Sequence, residues 1–408
     1  MITPFEALDI ILNNMKPLGK QKISIFEADK RVVADYIYSK LDLPPQDNSA
    51  MDGYAIRFKD IQQIPAKLKI KGTIKAGDSI DGLSVGENEC FRIMTGAFIP
   101  KGADCVVEFE AAKEENGYVE ILKQKKLYAN IRFKGEDIEK NARIDLIGEH
   151  LNPYRLARIV STGNIFIDVY TKPRICIIAT GNELVYAGDT TPFATIDSNS
   201  LFVKSLLKEE LNLDIDYLGI STDSQEDLKN LMETALNYDI IITTAGISFG
   251  DYDVVTNIEK QIGIEWLFKY VKQKPGKPFA FGKIKDSFIF SFPGNPVSTA
   301  FCSFFYLLPA LKKMMGLKKY LHIPIKAKLK KSMVKRNDRV HFNRVKVEFK
   351  NDNFYATPFE TQGSNIIESI AQCNGFAMVE SFRLGEIAKG EEVDVFMYDF
   401  KSIFEKRR

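Results

Sequence analysis

Four short apolar runs, at residues 175–180, 215–220, 240–243 and 288–292, alternate with segments whose apolar residues recur at helical spacing. Leu228, Leu231, Met232, Ala235 and Leu236 trace one such helical face, and Val297, Ala300, Phe301, Phe304 and Leu308 trace another. Runs of strand length that are apolar throughout read as buried strands. The alternation predicts a central doubly wound α/β domain over 173–323. Asn295 stands at the N-cap of the last helix, with Pro296 at its first position.

The chain of 408 residues exceeds one ordinary core, and changes of texture mark the other units. Residues 1–42 with 140–172 read as a split helical domain. Thr3 and Glu6 form a capping box around Pro4, followed by Phe5, Leu8, Ile11, Leu12 and Met15 on one face. A second helix is expected over 25–38, and a third from Pro153 to near Gly163, before a strand at 165–170. Residues 43–139 are rich in glycine and short strands, and read as a β-rich insertion into that helical domain. Residues 324–408 return to strands, at 342–349 and 392–398, and predict a small β barrel or sandwich.

A net charge of +2 excludes a bulk field that recruits nucleic acid or membrane. The basic clusters at 123–126 and 326–336 read as solvated surface. The N-terminus lacks the pattern of a signal peptide, and no stretch approaches the roughly 20 apolar residues of a membrane span. The five cysteines are scattered, which predicts buried reduced thiols and a cytoplasmic protein. With three histidines, none beside a cysteine pair, no structural zinc site is expected.

Function concentrates in the loops that follow the four strands, because ligands of open α/β sheets bind beyond the carboxyl ends of the strands. Ala179-Thr-Gly-Asn-Glu-Leu184 follows the first and Ser221-Thr-Asp223 the second. Thr243-Thr-Ala-Gly-Ile-Ser-Phe-Gly-Asp-Tyr-Asp253 follows the third and Phe292-Pro-Gly-Asn-Pro296 the fourth, with Lys274-Pro-Gly-Lys-Pro278 between them. Gly246, Gly250 and Gly294 let backbone amides approach an anion. Asp251 and Asp253 beside such a surface call for a cation, and Mg²⁺ is the natural one. Each residue has a plainer reading: Asp223 as a helix cap, Glu183 as a surface carboxylate, Lys274 and Lys277 as solvated turn lysines. Convergence at one sheet edge favours the site. In the insertion, Asp52 precedes a glycine and Thr95 sits in a Gly/Pro-built loop, and neither has a visible partner.

Together these segments resemble the molybdopterin molybdenumtransferase family, which includes the gephyrin E domain. The resemblance rests on Asn48-Ser-Ala-Met-Asp-Gly-Tyr-Ala55, Thr95-Gly-Ala-Phe-Ile-Pro-Lys-Gly-Ala-Asp104, Gly181-Asn-Glu-Leu184, Gly246-Ile-Ser-Phe-Gly-Asp-Tyr-Asp253, Lys274-Pro-Gly-Lys-Pro278 and Pro293-Gly-Asn-Pro296, with Gln362-Gly-Ser364 as a weaker match. It implies a four-domain homodimer whose active site lies between the α/β domain of one subunit and the β-rich insertion of the other. The implied reaction takes adenylylated molybdopterin and molybdate and releases AMP, with Mg²⁺ held by some of Glu183, Asp223 and Asp253. By matching position, Asp52, Thr95, Glu183, Asp223, Asp253, Lys274, Pro293 and Pro296 are implied as functional. Gly246, Ser248, Gly250 and Gly294 would cradle phosphate, Lys274 and Lys277 would neutralise it, and Asn295 and Ser364 complete the expected substrate contacts. Transient contact with a molybdopterin adenylyltransferase and with molybdoenzyme maturation proteins follows from the same resemblance. Asn182 stands where Asp is common, Gln46 replaces an aromatic, and Thr244-Ala245 replaces Ser-Gly. Alternative readings are a molybdopterin adenylyltransferase or other nucleotide-acting α/β enzyme, and a scaffold built on the gephyrin E-like fold.

Overall fold

A computed structural model describes residues 1–189, 191–221, 225–244 and 262–403. The central sheet runs Asp216–Ser221, Ile175–Thr180, Ile240–Thr244, Ser287–Phe292, Ala280–Ile284 and Glu265–Phe268 from edge to edge. The first four strands are parallel, and the last two pair antiparallel. Side chains alternate across the sheet. Ile175, Ile177, Ile240 and Ile242 enter one core with Val203, Leu207 and Leu211, whereas Cys176, Ile178 and Ile241 face Leu228, Met232 and Ala235. Burial on both faces is the reason these strands read as unbroken apolar runs, and each fully buried Ile or Leu contributes about 1.5–3 kcal/mol. The four strands predicted for this sheet are all present, with ends shifted by one residue at most.

The helical segment after the sheet is interrupted. Pro296–Cys302 and Leu308–Met314 are α-helical, and Ser303–Leu307 between them is a π turn. Pro309 has no N–H to donate and its ring crowds the preceding turn, directly after that wider segment.

At the N-terminus the capping box forms as expected. Glu6 N–H donates to Thr3 Oγ1 at 3.3 Å, and Thr3 N–H donates to Glu6 Oε2 at 2.7 Å. The helix Pro4–Asn14 buries Ala7, Leu8, Ile11 and Leu12, with Met15 just beyond, in the core it shares with the α/β sheet. Lys313 Nζ and Leu18 N–H tie it to the end of the π-interrupted segment. Phe5, expected on that face, is 41% exposed and only meets the Phe305 ring edge-on.

The helix expected over 25–38 does not form. Ile25–Glu27 makes one 3-10 turn, and Lys30 adopts a left-handed conformation. Val32 and Val33 then bridge His150 and Val169, and Ile37–Tyr38 pairs with Arg143–Ile144. The β-branched Val32, Val33 and Ile37 suit extended chain with partners at hand. Lys20–Ser24 likewise pairs antiparallel with Phe166–Tyr170. These pairings draw the two flanks together, and the β-rich insertion emerges between them. Its sheet runs Cys105–Glu108, Gly53–Ile56, Glu89–Ile93, Ala66–Ile74, Tyr118–Ile121 and Ala112–Glu115.

In the tail, Val340–Lys350, Asn353–Pro358, Ile325–Leu329, Glu392–Met397 and Gly375–Val379 close into a barrel, because the last pairs back onto the first. The barrel is fused to the α/β domain in two ways. Phe342, Phe376 and Phe396 pack against Phe301, Phe304 and Phe305, and Gln273–Lys274 adds in parallel to Val340–His341. All five cysteines are buried and unpaired. No helix among the described residues is long and apolar enough to cross a membrane.

Thr3→Ala removes one half of the capping box and costs about 1 kcal/mol of the stability of the unit holding that helix. The fall in denaturant midpoint measures it, and Thr3→Ser should retain most of the wild-type midpoint.

Candidate active site

The parallel register sets the strand ends level: Thr180 lies opposite Ser221, Ala179 opposite Thr244, and Thr244 opposite Phe292. Buried hydroxyls tie this edge together. Thr243 Oγ1 donates to Ser291 Oγ at 2.7 Å, and Thr180 Oγ1 donates to the Thr244 carbonyl at 3.3 Å. Gly181 N–H donates to the Ser221 carbonyl at 3.2 Å, joining the first two loops. Gly181 has φ +143°, and a Cβ there would stand 2.6 Å from Glu183 Oε2. Only glycine lets the exposed Glu183 carboxylate fold back over the turn. Asp223, Gly246, Ser248, Gly250, Asp251 and Asp253 lie outside the described residues.

The fourth loop is built around backbone carbonyls. Pro293 is buried, and its carbonyl accepts from Thr299 Oγ1 at 2.7 Å. The Asn295 carbonyl accepts from Ser298 and Thr299 N–H at 2.9 and 3.0 Å. Asn295 occupies the N-cap, but its side chain makes no capping bond, contrary to the sequence expectation. The first-turn donors are already occupied: Pro296 has none, Ser298 uses the Asn295 carbonyl, and Val297 N–H donates to the Ser364 carbonyl at 3.1 Å. That last bond seats the tail's Gln362-Gly-Ser364 loop on the helix start. Gly294 is exposed, and its carbonyl accepts from Asn199 Nδ2 at 2.7 Å.

Asn199 is a site neighbour that the sequence reading missed. It lies in the first turn of the helix Ser198–Leu211, whose N-cap Asp197 accepts from Ser200 N–H at 3.1 Å and from the Tyr217 hydroxyl at 3.0 Å. An Asp N-cap followed by Asn just past the first βα loop was the signal available.

The Lys274 arm rests on a buried amide. Gln273 Nε2 donates to the Gly276 carbonyl at 3.0 Å, and its Oε1 accepts from the Tyr306 hydroxyl. Gly276 has φ +83°, and a Cβ there would meet Cys302 Sγ at 2.9 Å. Lys274 itself is half-buried, and burial, then Arg339 and Arg344, lower the pKa of its ammonium. Lys277 is exposed, with its carbonyl accepting from Val271 N–H at 3.0 Å.

Arg344 is a second residue the sequence did not disclose. Its side chain is almost wholly buried, and it holds the 361–364 loop through the carbonyls of Gly363 at 2.8 Å and Thr361 at 3.3 Å. Its Nε donates to Ser369 Oγ at 3.0 Å, and Gln362 Oε1 accepts from the Arg344 N–H at 2.9 Å. Burial lowers the guanidinium pKa to about 10.

Asp52 and Thr95, without visible partners in the sequence, are partners of each other. Asp52 Oδ1 accepts from Thr95 N–H at 2.7 Å and from Thr95 Oγ1 at 2.8 Å. Neighbouring strands set the approach, since Gly53 pairs with Ile93. Both side chains are exposed, and Oδ2 receives no hydrogen bond among the described residues. The Thr95 N–H, then its hydroxyl, hold the carboxyl below the ordinary aspartate range.

Family models match along the chain in sequence order. Residues 2–163 match the MoeA N-terminal region (domain I and II), 176–313 a probable molybdopterin binding domain, and 326–398 the MoeA C-terminal region (domain IV). A molybdopterin molybdenumtransferase of Haemophilus influenzae is 30% identical over 97% of this chain and 98% of its own length. The chain belongs to the molybdopterin molybdenumtransferase family. As a member it is a transferase of molybdenum cofactor biosynthesis. The Staphylococcus aureus MRSA252 enzyme of that name is 32% identical over 96% of this chain and 94% of its own. A solved molybdopterin biosynthesis MoeA protein from Pyrococcus horikoshii superposes with a TM-score of 0.83 at 28% identity, covering 98% of this chain and 99% of that one.

Within this molybdenumtransferase, the described residues contain no group of three or more His, Cys, Asp or Glu able to hold a metal. Of the three expected carboxylates, Glu183 is the one described. Its exposed carboxylate offers hard oxygen donors, the type that suits Mg²⁺, an ion that keeps much of its water and takes one or two carboxylates beside phosphate oxygens.

The Asp52 contact favours the fold above the ordinary aspartate range, and that contribution is lost as pH falls through the lowered folded value. Thr95→Val removes the hydroxyl contact and keeps the backbone one. Carboxyl NMR titration should then find the Asp52 pKa raised relative to wild type, though still depressed.

Proposed function

We propose that this transferase inserts molybdenum from molybdate into adenylylated molybdopterin and releases AMP. The observation that carries this reading is the level carboxyl edge of one sheet, where the Glu183 loop and the exposed Gly294 turn are held by Ser221 and Asn199, with Gly276 of the Lys274 arm packed on the helix that follows Gly294. That edge offers positive charge, backbone approach and a carboxylate to a phosphoanhydride. Family membership supplies the molybdenum chemistry.

Lys274, whose backbone the Gln273 amide holds in place, binds a phosphoryl oxygen and orients the anhydride, and Lys277 adds charge from the exposed side of the same turn. Gly246, Ser248 and Gly250 line the loop after the third strand in this reading. Pro293 and Pro296 fix the turn that presents Gly294 and Asn295, while Ser364 is held against it through its carbonyl. Some of Glu183, Asp223 and Asp253 would hold Mg²⁺, which would supply Lewis-acid polarisation of the anhydride. Water opens the P–O–P bond, giving AMP and the terminal pterin phosphate. The two dithiolene thiol protons leave with one oxo ligand of molybdate as water, as two Mo–S bonds form.

Asp52, kept ionised by Thr95 and with no hydrogen bond to Oδ2 among the described residues, presents an acceptor on the β-rich insertion. We assign it to a site completed in a homodimer, where the insertion of one copy positions substrate on the α/β edge of the other. Substrate supply by an adenylyltransferase and delivery to maturation proteins fit transient contacts of that dimer.

Asp52→Ala and Asp253→Ala should each lower AMP release from adenylylated molybdopterin by on the order of 100-fold or more. Mixing the two inactive variants under subunit exchange should recover part of the activity. Wild-type rates in both single variants would sink the site assignment, and no recovery on mixing would sink the shared site.

A further inference from the structure

The turn that leads from the fourth strand into its helix commits the carbonyls on either side of Gly294 to that helix. Pro293 accepts from Thr299 Oγ1 at 2.7 Å, and Asn295 accepts from the Ser298 and Thr299 N–H groups. The Gly294 carbonyl between them is bonded differently. It reaches out of the turn to Asn199 Nδ2 at 2.7 Å, across 95 residues of sequence.

Asn199 is itself held through both ends of its helix. The start of that helix is laced to the Glu183 loop: Thr195 N–H donates to the Glu183 carbonyl at 2.7 Å, and Asp197 N–H donates to the Val185 carbonyl at 3.0 Å. Asp197 then caps the first turn through Ser200 N–H and accepts from the Tyr217 hydroxyl. At the far end, Lys30 Nζ and Lys172 Nζ donate to the carbonyls of Glu209 and Asn212, each at 2.6 Å. Cations at the last carbonyls of a helix complement its dipole. The helix is a strut from the split domain to the strand-end edge, and Asn199 links the first loop to the fourth.

What Asn199 fixes is a peptide plane. The Gly294–Asn295 bond is trans, so its C=O and N–H point in opposite directions. With the carbonyl bonded to Asn199, the Asn295 N–H is turned to the other side. That N–H makes no hydrogen bond among the described residues, and Gly294 and Asn295 are both exposed. The next donors along the chain are unavailable, since Pro296 has none and Val297 N–H donates to the Ser364 carbonyl. An unbonded amide of fixed direction is a donor for an anion.

We propose that Asn199 is a positioning residue: by holding the Gly294 carbonyl it aims the Asn295 N–H at an oxygen of the substrate's phosphate. That the anion belongs to the anhydride rests on the proposed function; that the turn carries an aimed amide does not.

Steady-state AMP release separates this role from a structural one. A variant that merely folds less completely loses kcat and keeps KM. Asn199→Leu, of similar size without the donor, raises KM for adenylylated molybdopterin by about tenfold or more, with kcat within about threefold of wild type. Asn199→Gln, which keeps the amide, recovers most of that loss. An unchanged KM in Asn199→Leu, a fall in kcat alone, or Asn199→Gln as impaired as Asn199→Leu overturns the proposal. A second measurement needs no turnover. In protein carrying isotope-labelled asparagine, the Asn295 amide resonance shifts as inorganic phosphate is added to wild type, and Asn199→Leu needs about tenfold more phosphate or more for the same shift. An Asn295 resonance in wild type that ignores phosphate also overturns it. A phosphate-dependent shift in a wild type that releases no AMP leaves the aimed amide standing and sinks the transfer reading.

Discussion

The Lys274 arm depends on one buried amide that is satisfied at both ends. Gln273 donates to the Gly276 carbonyl and accepts from Tyr306, and its own backbone carbonyl accepts from Arg339 Nη1 at 3.5 Å. A buried amide without such partners would cost several kcal/mol on the less forgiving transfer scales, about 4–8, so the conformation that pairs it is strongly selected. The lysine backbone is thereby fixed, and among the described residues its ammonium has no anionic partner.

The same logic recurs at Arg344. This buried guanidinium meets carbonyls and a hydroxyl instead of a carboxylate, and the 361–364 loop is shaped by that demand. Ser364 then offers its carbonyl to Val297 N–H, so the barrel contributes to the start of an α/β helix. Satisfying polar groups inside the barrel thus shapes a surface tens of residues away in sequence. The aromatic cluster joining Phe301 and Phe305 to Phe342 and Phe396 makes the connection stiff.

Much of this architecture was legible in the chain because its signals are local. The runs at 175–180 and 240–243 are apolar since both sheet faces are covered, and Thr3 with Glu6 caps a helix within one turn. The segment 25–38 misled because it is apolar enough for a helix, while its Val32, Val33 and Ile37 answer to partners more than a hundred residues away. Site residues divide in the same manner. Glu183, Lys274 and Gly294 announce themselves through glycine and proline turns at strand ends. Asn199, Gln273 and Arg344 do not, because what makes them matter is a distant carbonyl or hydroxyl. Asp52 and Thr95 were visible singly, yet their pairing across 43 residues required the sheet of the insertion.

The parallel addition of Gln273–Lys274 to the barrel strand Val340–Lys350 bears on how such chains can be recombined. A cut near residue 324 looks natural in sequence, since helix gives way to strand there. It would nevertheless divide a continuous ladder and an aromatic core, and deprive a borrowed barrel of the edge it was shaped to receive. The heritable module is therefore the lysine arm together with the barrel. Lineages that exchange tails as independent cassettes would have to re-evolve the fit between them.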